Sequence, residues 1–77
     1  MSLPLPVLKP KEVLRVRVKA GFEIHHQTGS HAQLRHTRKG HLRVTVLRHD
    51  RFDLSMPVLK SILRQAEMTV EEFLELL

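Results

Sequence analysis

The chain has 77 residues, 42% of them hydrophobic, which indicates one small domain with a modest core. It contains no cysteine, so disulfides and thiolate metal sites are excluded. No apolar run approaches the roughly 20 residues of a membrane span, and the first residues lack the pattern of a signal peptide. We therefore expect a cytoplasmic protein with no membrane association.

Charge is divided unevenly along the chain. Residues 1–66 hold all 13 lysines and arginines and four of the eight acidic residues, a net charge of +9, whereas residues 67–77 carry −4. A basic body of this kind favours a polyanionic partner such as nucleic acid. Because there is no tryptophan or tyrosine and there are only three phenylalanines, contacts to phosphates are favoured over stacking on bases.

The first 20 residues contain an extended arm and one ambiguous segment. Two prolines hold the arm, residues 1–9, in an extended form. In residues 11–20, the alternation of apolar and basic side chains favours a strand. Pro10 as a helix start and Gly21 as a helix stop favour a helix instead. The residues alone leave both alternatives open.

Residues 22–49 predict an antiparallel meander of three strands, joined by the glycine-containing turns QTG and TRKG. A three-residue turn at 27–29 would pair His25 with His31 and direct His26 toward the core. The opposite face of the sheet then carries a polar set, which is the candidate functional surface: Glu23, His25, His31, Gln33, Arg35, Arg43 and Thr45.

Two helices are predicted in the last third of the chain. Residues 57–66 have apolar side chains at helical spacing. Residues 69–77 open with Thr69 and have Glu72 three positions later, the pattern of a capping box.

Six histidines allow three interpretations. A metal site could use His25 and His31, but no standard ligand spacing appears, and we expect neither a metal nor another cofactor. Most of the six are expected to be solvated surface residues. One of them could transfer protons in RNA cleavage, because RNA carries its own nucleophile, the 2′-hydroxyl. His31 with Arg35 and Arg43 has the residue types for this reaction, and also those of an inert phosphate-binding patch.

Six segments occur in an order that is more specific than any one of them: LPVL, KEVLRVRVKAGFE, HHQTGSH, LRVTVLRH, LKSILRQA and EEFLELL. In this order, from about Leu5 onward, the chain resembles the HicA (YcfA-like) family of toxin mRNA interferases. The resemblance implies an α+β fold like that of a double-stranded-RNA-binding domain: a helix, a three-stranded antiparallel sheet and a helix, with a short C-terminal helix. It favours the helix for residues 11–20, and we expect one HicA-like domain over residues 1–77.

The resemblance also implies a function: the toxin of a type II toxin–antitoxin system, which cleaves mRNA without a metal and is blocked by a HicB-like antitoxin. The family's catalytic histidine falls on His31, and Gly29 and Ser30 complete its motif. We hypothesise that His31 is the general acid or base. The expected RNA contacts are Gly29, Ser30, Arg35, Arg38, Lys39 and Arg43. The alternatives are a noncatalytic RNA-binding module of the same fold and a protein-interaction domain for an acidic partner.

The chain departs from the usual family pattern at a few positions. Leu47 stands where the family usually has proline, and Pro57 stands where it has glycine. The helix predicted over residues 57–66 ends in Ala66-Glu67, where the family usually has Ala-Gly, and Leu34 stands near a position where the family often has an aromatic residue.

Overall fold

The computed structural model describes residues 5–49 and 51–77 and contains three helices and three strands. In chain order these are α1 (Pro10–Val16), β1 (Phe22–Thr28), β2 (His31–His36), β3 (Arg43–Leu47), α2 (Met56–Gln65) and α3 (Val70–Leu76). The strands form one antiparallel sheet in the order β1-β2-β3. The predicted α+β class is confirmed: along the chain a helix comes first, the three-stranded sheet follows, and a second helix and a short C-terminal helix come last.

The ends of the chain and its helices bear on two further expectations. Residues 1–4 of the expected arm lie outside the described residues, and residues 5–9 form neither helix nor strand. Within residues 5–49 and 51–77, no helix combines the length and the apolar character needed to cross a membrane.

The ambiguous segment folds as a helix, α1, which ends at Val16 and is shorter than the expected 11–20. Pro10 is its first residue, a position where the missing N–H would have had no helical acceptor. The Lys9 N–H donates to the Glu12 carboxylate at 3.4 Å, which satisfies another group at this end. Val18 is 69% exposed, although the strand alternative would bury it with its apolar neighbours.

The helices cover one face of the sheet. Alternate residues of β2 and β3 are buried there: Ala32, Leu34, Val44 and Val46. They belong to the same core as Leu59, Ile62 and Leu63 of α2 and the buried residues of α1. Burying each large apolar side chain contributes about 1.5–3 kcal/mol, which makes this face the main source of stability. The side chains between them project from the other side of the sheet.

The turn between β1 and β2 has two residues, Gly29 and Ser30, because Thr28 pairs directly with His31. Gly29 has a φ of 55°, the sign that the first central residue of a type II′ turn requires. The expected three-residue turn at 27–29 is therefore wrong, and the pairing of His25 with His31 is wrong with it.

A β-bulge interrupts the same hairpin. Ile24 pairs with Leu34 and His26 with Gln33, so His25 is the extra residue of β1. Because an extra residue reverses the faces on which the following side chains lie, His26 shares the face of Gln33 and not that of the core. The expected inward direction of His26 is wrong for this reason.

The capping box predicted for α3 is confirmed. The Glu72 N–H donates to the Thr69 hydroxyl at 3.1 Å, and the Thr69 N–H donates to the Glu72 carboxylate at 2.9 Å. Hydrogen bonds from the backbone and the side chain of Thr69, with a smaller effect from the charge of Lys39, hold the pKa of Glu72 below its usual value. Phe73, one residue later, is buried in the core and anchors the helix.

Helix α2 ends in a Schellman motif built on an unusual residue. The Met68 N–H donates to the Leu63 carbonyl at 2.9 Å and the Glu67 N–H to the Arg64 carbonyl at 3.1 Å. Glu67 has a φ of 53°, in the left-handed region where glycine is preferred and a side chain is strained.

Replacing Glu67 with glycine is expected to stabilise the protein. Removing the left-handed strain gains up to about 1 kcal/mol, which corresponds to a rise in Tm of about 4–8 °C for a domain of this size. Thermal unfolding followed by circular dichroism measures the change.

Glu67→Ala is the matched control. Both variants lose the exposed contact between Glu67 and His41, at 3.9 Å, which is worth little. Only glycine relieves the backbone, so equal melting temperatures for Glu67→Gly and Glu67→Ala would contradict the strain.

Candidate nucleic-acid interface

The face of the sheet opposite the core is lined by polar and basic side chains, and we refer to it as the open face. Directly paired residues of neighbouring strands lie on the same side, so the register defines its members. They are Glu23, His26, Thr28, His31, Gln33, Arg35, Arg43, Thr45 and Leu47. Six of the seven residues expected from the sequence lie here. His26 takes the place expected for His25, and Thr28 and Leu47 are added to the set.

His31 is the first residue of β2 and is exposed on the open face, immediately after the Gly29-Ser30 turn. It pairs with Thr28 of β1 on one side and with Leu47 of β3 on the other. The Arg48 N–H donates to the Ser30 carbonyl, so His31 and Leu47 form a non-hydrogen-bonded pair, the kind in which side chains approach most closely. His31 is therefore flanked by side chains on both neighbouring strands and open above.

A second histidine lies close to His31. His26 is a diagonal neighbour of His31 across β1 and β2, and the Cα atoms of such neighbours are about 7–8 Å apart. The Oγ1 of Thr28 lies 2.6 Å from Nε2 of His26, which fixes the orientation of this imidazole. Sequence reasoning missed His26 because the bulge that turns it outward leaves no glycine or other clear mark in the segment.

Two arginines face each other in the same sheet. Arg35 of β2 pairs with Arg43 of β3, and Glu23 of β1 lies 3.6 Å from Arg35 on its other side. Like charges placed directly opposite each other repel, and one carboxylate balances only one of them. The pair therefore favours an anion above it. It is four residues along β2 from His31, about 13 Å at the usual rise of a strand.

Arg38 and Lys39 lie in the turn between β2 and β3, and His36 holds this turn in place. Nδ1 of His36 accepts from the N–H groups of Arg38, at 3.1 Å, and of Lys39, at 2.9 Å. The ring also packs against Phe22 in a T-shaped arrangement, with centroids 5.1 Å apart and planes at 84°.

Lys39 is directed away from the open face. With Glu67 and Glu72 it lines a small cavity at the end of the sheet where α2 and α3 meet. The structure thus brings His31, Arg35 and Arg43 onto one face with the Gly29-Ser30 turn at its end. Arg38 and Lys39 lie at the opposite end of β2 from His31.

A groove opens beside Leu47, the residue of β3 that pairs with His31. Its lining residues come from the start of α1, the end of β3, the following loop and the start of α2: Pro10, Leu47, His49, Phe52, Asp53, Leu54, Ser55 and Val58. Lys9 and Asp53 form an ion pair at 3.5 Å on its rim, and Phe52 is 66% exposed. His49, whose role the sequence leaves open, lies in this groove.

The part of the chain that the structure describes contains no cluster of side chains that could bind a metal ion. Within residues 5–49 and 51–77, no three histidine, aspartate or glutamate side chains come together as a set of ligands.

A family model described as the HicA toxin of bacterial toxin–antitoxin matches residues 10–68. This stretch contains α1, the whole sheet and α2, and it includes every residue expected to contact RNA. No curated protein matches the chain.

Gly21 is expected to be less replaceable than Gly29. Gly21 has a φ of 88°, and a Cβ there would lie 2.7 Å from Nε2 of His36. Gly29 has a φ of 55° and open space around it. Gly29→Ala should cost about 1 kcal/mol of unfolding free energy, whereas Gly21→Ala should cost about 2–3 kcal/mol because it also displaces His36.

Urea unfolding measures both changes. Gly40→Ala is the control, since Gly40 lies in the same turn as Lys39 with nothing within 4 Å of an added Cβ. Equal losses for Gly21→Ala and Gly29→Ala would contradict the close contact with His36.

Proposed function

The chain belongs to the HicA toxin family of bacterial toxin–antitoxin systems, and from this membership we propose that it is an endoribonuclease that cleaves mRNA as the toxin of a type II system. It acts in the cytoplasm, where mRNA is found, and its cognate antitoxin is a HicB-like protein. The observation that carries the proposal is the exposed His31 on the same face of the sheet as the Arg35–Arg43 pair.

The reaction uses the RNA as its own nucleophile. The 2′-oxygen forms a bond to phosphorus while the bond from phosphorus to the 5′-oxygen breaks. The products are a 2′,3′-cyclic phosphate and a 5′-hydroxyl. The 2′-hydroxyl must lose a proton and the leaving 5′-oxygen must gain one, and His31 performs one of these transfers as general base or general acid.

The arginine pair has a different role from His31. Because it is about 13 Å along the strand from His31, it holds a neighbouring phosphate of the same RNA strand and positions the scissile one. The repulsion between Arg35 and Arg43 is relieved when a phosphate lies above both, which gives binding energy that does not depend on sequence. Gly29 and Ser30 set the backbone beside His31, and their place at the end of the open face supports a contact with the RNA backbone.

Replacing His31 with alanine is expected to abolish toxicity and slow RNA cleavage by about 10²-fold or more, the usual contribution of a general acid or base. Induced expression scored for growth and mRNA integrity measures the first effect, and cleavage of RNA in vitro measures the second. His41→Ala is the control, since His41 is also exposed but precedes β3 outside the open face.

The RNA ends test the mechanism independently. Cleavage by the wild type should leave 2′,3′-cyclic phosphates, and products with 3′-hydroxyl ends would contradict the proposed reaction. If the wild type binds RNA with a steep salt dependence but does not cleave it, and His31→Ala behaves alike, the chain is a noncatalytic RNA-binding module.

Replacing Arg43 with alanine should weaken RNA binding for all sequences alike and reduce the slope of log K against log salt concentration by about 1, as for one lost phosphate contact. Fluorescence anisotropy in the His31→Ala background measures binding without cleavage. Lys60→Ala is the control, because Lys60 is exposed on α2 and α2 packs on the other side of the sheet. An equal loss of slope in both variants would contradict a specific contact at Arg43.

A further inference from the structure

Two histidines, not one, lie near each other at the end of the open face. The bulge at His25 places His26 on this face, and the two-residue turn places Thr28 directly opposite His31. His26 and His31 are therefore diagonal neighbours on adjacent strands, about 7–8 Å apart, with their side chains on the same side. This spacing leaves room for a phosphate group between two imidazoles.

The chemistry of the proposed reaction calls for two proton transfers at different oxygens. The 2′-hydroxyl loses its proton on one side of the phosphorus, and the 5′-oxygen gains one on the opposite side, because the entering and leaving oxygens lie in line. Histidine is the side chain whose ordinary proton affinity suits both transfers near neutral pH.

Other side chains near His31 on the open face do not suit the second transfer. Thr28, Gln33 and Thr45 do not titrate near neutral pH. The carboxylate of Glu23 lies 3.6 Å from the guanidinium of Arg35. Glu23 pairs with Arg35, so the bulge at His25 separates it from the turn end of the hairpin where His31 lies.

We propose that His26 is a second catalytic residue and that His26 and His31 form the acid–base pair of the nuclease, an inference that rests on the proposed RNA cleavage. One imidazole accepts the proton of the 2′-hydroxyl as the 2′-oxygen bonds to phosphorus. The other, protonated beforehand, gives its proton to the 5′-oxygen as that bond breaks. The base ends the step protonated and the acid ends it deprotonated, so the pair gains and loses one proton. Proton exchange with water then returns each imidazole to its starting state.

Thr28 orients the second imidazole. Its hydroxyl lies 2.6 Å from Nε2 of His26, so that ring nitrogen is occupied and Nδ1 is the one that exchanges a proton with the RNA. Thr28 also pairs with His31, which puts the orienting hydroxyl between the two histidines.

The test uses two RNA substrates that differ at one atom of the cleavage site, once this site has been mapped with the wild type. One has the natural 5′-oxygen leaving group, and the other has a bridging sulfur in its place. The sulfur departs as a thiolate and needs no proton, so it restores cleavage to a variant that lacks the general acid but not to one that lacks the base.

The variants are His26→Ala, His26→Gln and His31→Ala, with His25→Ala as the matched control. Glutamine keeps a side chain that can bond to Thr28 but cannot transfer a proton. Both His26 variants and His31→Ala should lose about 10²-fold or more on the natural substrate, and His25→Ala should retain its rate. On the sulfur substrate, the variants of one of the two positions should regain their rate and those of the other should not. The regained rate also shows that the variant is folded.

Three results would contradict the assignment of His26 and His31 as the acid–base pair. The first is a wild-type rate for His26→Ala or His26→Gln on the natural substrate, the second is rescue at both positions by sulfur, and the third is rescue at neither. A wild type that cleaves neither RNA would instead refute the proposed nuclease function itself, which separates that failure from a failure of the assignment of His26.

Discussion

The register of the β1–β2 hairpin is the constraint on which the chemistry of the open face depends. Side chains alternate between the two faces of a strand, so a shift of one residue exchanges every side chain of β1 between core and solvent. The two-residue turn at Gly29 and the bulge at His25 fix this register together. With both in place, Phe22 is buried while His26 and Thr28 lie beside His31. The polar side chains are thereby gathered on the face that does not form the core.

A small core explains why the site lies on a surface. Most buried side chains come from one face of the sheet and from the three helices, with Leu8 and Leu42 added from the connecting segments. Within the described residues no polar or charged side chain is buried. The Arg35–Arg43 pair is tolerated because it lies on the open face, where water screens the repulsion. The cost of placing these charges together is therefore low.

The sequence predicts the parts of this fold whose pattern has one interpretation. The alternation in β2 and β3 identifies Ala32, Leu34, Val44 and Val46 as core, and Thr69 with Glu72 marks the start of α3. Residues 11–20 fit two periods at once, and only the resemblance to a family favours the helix. The turn QTG fits loops of two or three residues, and the bulge has no glycine to mark it. For these reasons the face of His31 was predictable, whereas its neighbour His26 was not.

The acidic end of the chain shows how an uneven charge along the sequence becomes a separation in space. The family match ends at residue 68, yet Phe73 of α3 is buried in the same core as α1, α2 and the sheet. This anchor holds the glutamates of α3 on the helical side, where Glu72 lies near Lys39. Without α3, Lys39 would keep Glu67 but lose Glu72 as an acidic neighbour, and the core would lose Phe73. The helix therefore stabilises the fold and also keeps its negative charge away from the basic open face.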